Sequence, residues 1–287
     1  MKNKLFIFVA MLFSAVLLLA ACGTSTSEKE TNTNTGSSGE TSEKETFTIG
    51  LEAGYAPFNW TQLDDSNGGI KIDGNAEYAG GYDVEIAKKV AAGLGKELVV
   101  VKIEWDGLVP SLQSDKIDAI MAGMSPTKER KESIDFTENY YTSNFIMVVK
   151  KGGPFEGATS IQDFKGAKIT GQLNTSHYGV IDQIEGVKKQ PASDNFSAMR
   201  VALESGVLDG YVSERPEGIS ASAANENFAM VEFTDGFVAS EEETAVAVGL
   251  KKDSELKDKI NEILAGISEE ERQEIMDTAI KNQPAAE

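Results

Sequence analysis

From Phe47 onward the chain alternates short apolar runs with amphipathic stretches. FTIGL (47–51) predicts a strand. The polar segment 61–80, TQLDDSNGGIKIDGNAEYAG, predicts a long loop turning at Asn67-Gly68-Gly69. A helix follows with Asp83 as N-cap, Ala87, Val90, Ala91 and Leu94 on one face, and Gly95 at its end. ELVVVKI (97–103) reads as a strand buried on both faces. WDGLVPSLQSD predicts a helix capped by Asp106, and KIDAIMAGM a third strand. In AGMSPTKER (122–130), Thr127 caps the next helix, KERKES. NFIMVVKK (144–151) is again a strand. A second alternation then runs through helix SIQDF, strand AKITGQ (167–172), helices TSHYGVIDQI and DNFSAMRVALES (194–205), strand VLDGYVS (207–213), helix ERPEGISASAAN and strand FAMVEF (228–233). TAVAVGL (244–250) predicts a strand, and SELKDKINEILAGI and SEEERQEIMDTAIKN two closing helices. Such alternation implies an α/β fold with parallel sheets and helices on both faces, in two series and hence two lobes.

The amino-terminal pattern is different. Lys2 and Lys4 precede LFIFVAMLFSAVLLLA, and LAAC stands at 19–22. The apolar run has the length of a membrane span, but small residues before a lone cysteine predict a signal peptide over 1–21, cut ahead of Cys22. LAAC is similar to a bacterial lipobox, which implies diacylglycerol on the Cys22 sulfur. Residues 23–46 are almost without apolar side chains and predict a disordered tether. Cys22 is the only cysteine, which excludes an internal disulfide or a thiolate metal site. The formal charge of −19 becomes more negative once Lys2 and Lys4 leave with the signal, and argues against a polyanionic partner such as nucleic acid.

In parallel sheets, ligands bind beyond the carboxyl ends of the strands. Those positions carry Glu52 and Tyr55 after FTIGL, and Glu104, Trp105 and Asp106 after ELVVVKI. Met124, Ser125 and, one turn on, Arg130 follow IDAIMAG; Asn174, Thr175 and Ser176 follow AKITG; Glu214 follows VLDGYVS. Arg130 is the anomaly. Helix starts favour carboxylates, because their free N–H groups carry partial positive charge. An arginine in a first turn is either solvated and paired with Glu129, or part of an anion site made of N–H groups, a hydroxyl and a guanidinium.

GYAPF (54–58), GYDVEIAKKVAAGLG, EWDGLVPSLQSDKIDAIMAGMSPTKER, IDFTENYY, GQLNTS and LDGYVSE occur in this order. Together, over 47–280, they resemble the polar amino acid-binding family of ABC-transporter solute-binding proteins, family 3, with the type II periplasmic-binding-protein fold. The resemblance implies a two-lobed Venus-flytrap with two crossover strands, lobe I being 47–141 plus 240–287 and lobe II 142–239. It implies that the Gly123 carbonyl, Ser125 and Arg130 hold the ligand, with Arg130 on its α-carboxylate and Met124 alongside. Thr175 and Ser176, next to Asn174, would close over it from lobe II. Glu214, where the family usually has Asp, would take the α-ammonium. Tyr55 and Trp105 would flank the ligand side chain, and Glu52 would stand at the far end of the pocket. Segment 61–80 is longer than the usual loop there.

Arg130, Glu214 and Glu52 together carry a net negative charge, so a cationic ligand leaves the site neutral. Arginine is therefore favoured, then lysine or histidine. Glutamine would leave a buried negative charge unless Glu52 is protonated, and a glutamine receptor is the alternative. The expected protein is a monomeric, lipid-anchored receptor on the outer face of the cytoplasmic membrane. It hands a free polar amino acid to an ABC permease and its ATPase, with no cofactor, no metal and no catalytic residue.

Other classes have weaker signals. Ser125-Pro126-Thr127-Lys128 and Ser193-Asp194-Asn195 match motifs of penicillin-recognising serine enzymes, but no K-T-G follows. His177, the only histidine, supports neither a zinc set nor a triad with a spare, and is placed on the rim of the lobe II loop. Asp64, Asp65, Asn67 and Asp73 lack the glycine and terminal Glu of a calcium loop. A dehydratase on the same scaffold and a lipid-anchored sensor or adhesin complete the alternatives.

Overall fold

The computed structural model describes residues 45–284. The expected signal peptide, the lipid site Cys22 and all but the last two residues of the expected tether lie outside them. The described chain opens with β1 (Thr46–Leu51), then β2 (Gly54–Tyr55), β3 (Asn59–Gln62), β4 (Ile70–Lys71), β5 (Tyr78–Gly80) and α1 (Tyr82–Leu94). Next come β6 (Glu97–Lys102), α2 (Leu108–Gln113), β7 (Ala119–Ile120), α3 (Lys128–Ser133), β8 (Asp135–Thr142) and β9 (Phe145–Lys150). The second series is β10 (Lys168–Thr170), α4 (Ser176–Gly179), β11 (Lys188–Lys189), α5 (Phe196–Glu204), β12 (Gly210–Glu214), α6 (Arg215–Ala224) and β13 (Phe228–Val231). The chain closes with α7 (Glu241–Thr244), β14 (Ala245–Leu250), α8 (Leu256–Ala265) and α9 (Glu269–Asn282).

Two five-stranded sheets result, ordered β6-β1-β7-β14-β8 and β11-β10-β12-β9-β13. In the first, β1 runs parallel to β6 and β7, with Ile49 opposite both Val100 and Ala119. In the second, β10 runs parallel to β11 and β12. The expectation of purely parallel sheets fails at one strand in each. β14 is antiparallel to β7 and β8, and β9 is antiparallel to β12 and β13. The reason is connectivity. The chain leaves the first sheet along β8 and enters the second through only Ser143 and Asn144, then returns from β13 to β14. These two passages are the crossovers.

The parallel strands present their carboxyl ends on one edge of each sheet. That gathers residues 52–55, 103–106 and 121–125 in the first half, and 171–176 and Glu214 in the second. Phe47, Ile49, Leu51, Val100 and Ile120 fill the first core, and Met147, Val149, Ile169 and Val212 the second. The first apolar cluster runs on into Phe196, Met199 and Tyr211 of the second half.

Segment 61–80 is not an irregular loop. Its ends pair in a four-stranded antiparallel flap ordered β2-β3-β5-β4, although the turn does fall at Asn67 and Gly68, both with positive φ. Asp83 is not an N-cap either; Gly81 holds that position. The amides of Tyr82 and Asp83 donate to the carbonyls of Pro57 and Phe58, so the helix start is satisfied by the flap and the Asp83 carboxylate turns into the core. The segment expected as one helix from Trp105 is a 3₁₀ turn (Trp105–Gly107) followed by α2, and Asp106 makes no cap hydrogen bond to it. Among the described residues no helix is long and apolar enough to cross a membrane.

Candidate functional site

Arg130 sits in the first turn of α3, where the Thr127 hydroxyl accepts from its backbone amide at 3.4 Å. The side chain folds back over the loop before the helix. Nη1 donates to the Ser125 carbonyl at 2.8 Å, and Nη2 donates across the cleft to the Asn174 carbonyl at 2.9 Å. The guanidinium lies 5.1 Å from the centroid of the Trp105 ring. Among the described residues it forms no ion pair with a carboxylate. Burial lowers its pKa to about 10, opposed by the charge of neighbouring Glu129, so it stays charged at neutral pH.

Two buried acids come one from each half. Glu214 ends β12 and is buried. The Tyr55 hydroxyl of the first half donates to its Oε1, and His177 Nε2 is 3.6 Å from the same oxygen. Burial, with Glu214 beside it, holds the Tyr55 phenol far above its ordinary pKa, so it remains a donor. Glu52 follows β1 at a sharp turn in which Ala53 has φ 52°. It is 8% exposed; Oε2 accepts from Gln172 Nε2 at 3.0 Å and Oε1 has no partner. Burial raises its pKa to about 7, opposed by the Gln172 hydrogen bond and reinforced by Glu104.

Gly123 shows why the loop after β7 has its shape. Its φ is 63°, and a Cβ there would lie 2.7 Å from Tyr55 Cε1, so only glycine lets the Tyr55 ring close on the backbone. That ring stacks on Phe58 at 5.0 Å and on Phe196 of the second half at 4.3 Å. Tyr55 therefore joins the halves twice, by stacking and through Glu214.

Seven of the expected positions border one small cavity of about 10 Å³: Tyr55, Trp105, Gly123, Ser125, Arg130, Thr175 and Ser176. A cavity of this size has room for about one water. Met124 and Asn174 instead line an adjoining groove of about 910 Å³ that opens past Arg130 and Trp105 between the halves. Glu52 and Glu214 stand one contact behind the cavity wall, Glu52 behind Gln172 and Glu214 behind Tyr55 and His177. Several expected contacts are turned inward. The Ser125 hydroxyl donates to the Glu243 carbonyl at 3.2 Å, and that of Thr175 to the Gln172 carbonyl at 2.7 Å. Asn174, with φ 56°, gives its carbonyl to Arg130 and donates its side-chain amide to Asp106 at 2.9 Å. Trp105 lies under the guanidinium, whereas Tyr55 is stacked among phenylalanines. His177 is not on a rim; it is buried and faces the same cavity. Gln172 and His177 are the polar wall residues that the sequence reading left out of the site.

A family model for bacterial extracellular solute-binding proteins, family 3, matches residues 47–282. The chain belongs to that family. Among relatives of this family 3 protein, the arginine-binding extracellular protein ArtP of Bacillus subtilis is 30% identical over 263 residues, covering 86% of each chain. The ABC transporter glutamine-binding protein GlnH of the same organism is 27% identical over 99% of both. A solved amino acid ABC transporter substrate-binding protein from Streptococcus pneumoniae, bound to L-arginine, superposes with a TM-score of 0.72 at 25% identity, covering 82% of this chain and 94% of that one. The chain is thus an amino acid solute-binding protein of an ABC transporter, with the two-lobed type II periplasmic-binding-protein fold. Its relatives are transport proteins and not enzymes, and the two enzyme-like motifs have structural uses. Ser125 binds a carbonyl, Lys128 is exposed, and Asn195 caps α5 by accepting from the Ala198 amide at 2.9 Å.

Proposed function

We infer that this receptor captures arginine, with lysine or histidine next, and that Arg130 takes the α-carboxylate, Glu214 the α-ammonium and Glu52 the cationic side chain. The observation that carries this reading is the guanidinium with no ion-paired acid among the described residues, bordering a cavity behind whose wall stand two buried acids, one from each half of the molecule. A zwitterion with a cationic side chain supplies what each group lacks, and bidentate carboxylate binding suits a guanidinium. The arginine-binding relatives support the same choice.

The cavity is too small for an amino acid, so entry requires the halves to part. In this reading lobe I is 47–141 plus 240–287 and lobe II is 142–239. The ligand carboxylate replaces the Asn174 carbonyl on Arg130, and ligand contacts to both lobes then favour closure. Gly123, Met124, Ser125, Asn174, Thr175 and Ser176 would frame the carboxylate, and Trp105 and Tyr55 the remainder of the ligand. The receptor acts as a monomer, held by lipid on Cys22 at the outer face of the cytoplasmic membrane, and docks when closed on the permease and its ATPase.

One observation favours a second reading, a glutamine receptor. With its pKa at about 7, Glu52 is partly neutral at physiological pH, and a neutral Glu52 leaves a site balanced for a neutral zwitterion. A thermal-shift and calorimetric screen of the twenty amino acids at pH 6 and pH 8 separates the two. A cationic ligand draws Glu52 to its ionised form, so arginine affinity should rise with pH through about 7 and then level off. Stabilisation by glutamine alone, stronger at pH 6, would establish the second reading.

A further inference from the structure

His177 is the second residue of α4 and its side chain is nine-tenths buried. Its ring meets Phe145 edge-on at 5.2 Å and Phe196 at 5.9 Å, and it borders the small cavity. Neither Nδ1 nor Nε2 has a hydrogen-bond partner. A histidine held only for packing would incur the cost of desolvating two polar nitrogens that a phenylalanine avoids. The loop nevertheless forces it inward: a Cβ on Gly171 would lie 2.8 Å from the backbone of His177 and Tyr178, so glycine at 171 lets α4 pack tightly against the end of β10. Tyr178 turns the other way, its hydroxyl donating to the Gln190 carbonyl at 3.1 Å and its ring under Lys189.

The charged and titratable groups around the imidazole are few. Glu214 Oε1, at the end of β12, is 3.6 Å from Nε2, with the Tyr55 hydroxyl from the flap on the same oxygen. Arg130, at the start of α3, borders the same cavity, and Glu52 reaches it through Gln172. His177 therefore stands at the wall of a cavity whose other side carries a guanidinium, with Glu214 Oε1 directly behind its Nε2.

We propose that His177 is a ligand-contacting residue whose Nε2 lone pair receives an N–H of the ligand's primary ammonium together with Glu214. The site then selects unsubstituted α-amino groups. This rests on the reading of Glu214 as the ammonium partner.

The test is calorimetry with L-arginine and Nα-methyl-L-arginine at pH 8 on the wild type, His177→Phe and Glu214→Gln. Phenylalanine keeps the edge contacts with Phe145 and Phe196 and removes both nitrogens. Expected are at least ~10-fold weaker arginine binding by His177→Phe and ~10-fold or greater discrimination against the Nα-methyl ligand by the wild type. Wild-type affinity in His177→Phe, with Glu214→Gln impaired, overturns the role of His177 alone. Wild-type binding by Glu214→Gln as well overturns the ammonium assignment beneath it. Should His177→Phe fail to fold by circular dichroism, equal binding of the two ligands by the wild type overturns the proposal.

Discussion

A single arginine gave the earliest sign of the site, because a cation in a helix's first turn runs against the field of the free amides. The structure adds what surrounds it: two carbonyls, an indole face and no acid partner. Replacing Arg130 with alanine removes the only cation bordering the cavity. We expect arginine affinity to fall by ~100-fold or more by calorimetry, with little change in melting temperature in the absence of ligand, since its side-chain hydrogen bonds go only to the carbonyls of part-buried Ser125 and exposed Asn174. Wild-type-like binding would remove Arg130 from the site. Gln172 and His177 were not legible in the same way. Each is one polar residue just beyond β10, without periodicity or an unfavourable position to mark it. Their importance lies in what reaches them from distant parts of the chain: Glu52 is 120 residues from Gln172. The hydroxyls of Ser125 and Thr175 were legible as residues at strand ends but not as groups already committed to local carbonyls.

Whole elements were read well where their apolar period was long and poorly where it was short. β1, β9 and β14 each span six residues of mostly buried side chains, whereas β6, expected to be buried on both faces, is an edge strand in which only Val100 is fully buried. The flap strands span two to four residues, too few for alternation to show. The start of α1 was misplaced because Asp83 has the composition of a cap, whereas the flap carbonyls already satisfy the first amides. Asp83 instead accepts from Asn59 Nδ2 at 2.8 Å and the Tyr140 hydroxyl at 2.6 Å. Burial lifts its pKa to about 7 despite those bonds, as it does for Glu52. Both groups bind their proton more tightly folded than unfolded. Their contribution to stability is complete below the unfolded carboxylate pKa and is lost as pH rises through about 7. For Glu52 alone this amounts to ~2–4 kcal/mol. Urea unfolding of the ligand-free protein should therefore show a lower midpoint at pH 8 than at pH 5, and Glu52→Gln should reduce the difference. A midpoint difference identical in the variant would mean that Glu52 is ionised throughout.

At the scale of the molecule, two α/β series were legible. The reversed strand in each sheet was not, because periodicity carries no strand direction. The halves meet through Tyr55 on Phe196, the Tyr55–Glu214 hydrogen bond, the Glu52–Gln172 bond and the contacts of Asn174. Phe196→Ala removes the largest apolar part of that contact. Small-angle scattering of the ligand-free variant should show a larger radius of gyration than the wild type, and saturating arginine should bring the two together. Identical scattering without ligand would show that the stacked rings do not hold the halves together. The place of β14 also bears on biogenesis. It lies between β7 and β8 in the interior of the first sheet, yet it is made more than a hundred residues after both. A polypeptide emerging amino end first thus leaves a central slot in that sheet until its last sixth arrives, while all the strands of the second sheet have already been delivered. The carboxyl-half sheet can assemble early, and the amino-half sheet must wait with two bare edges, the condition under which export chaperones have something to cover.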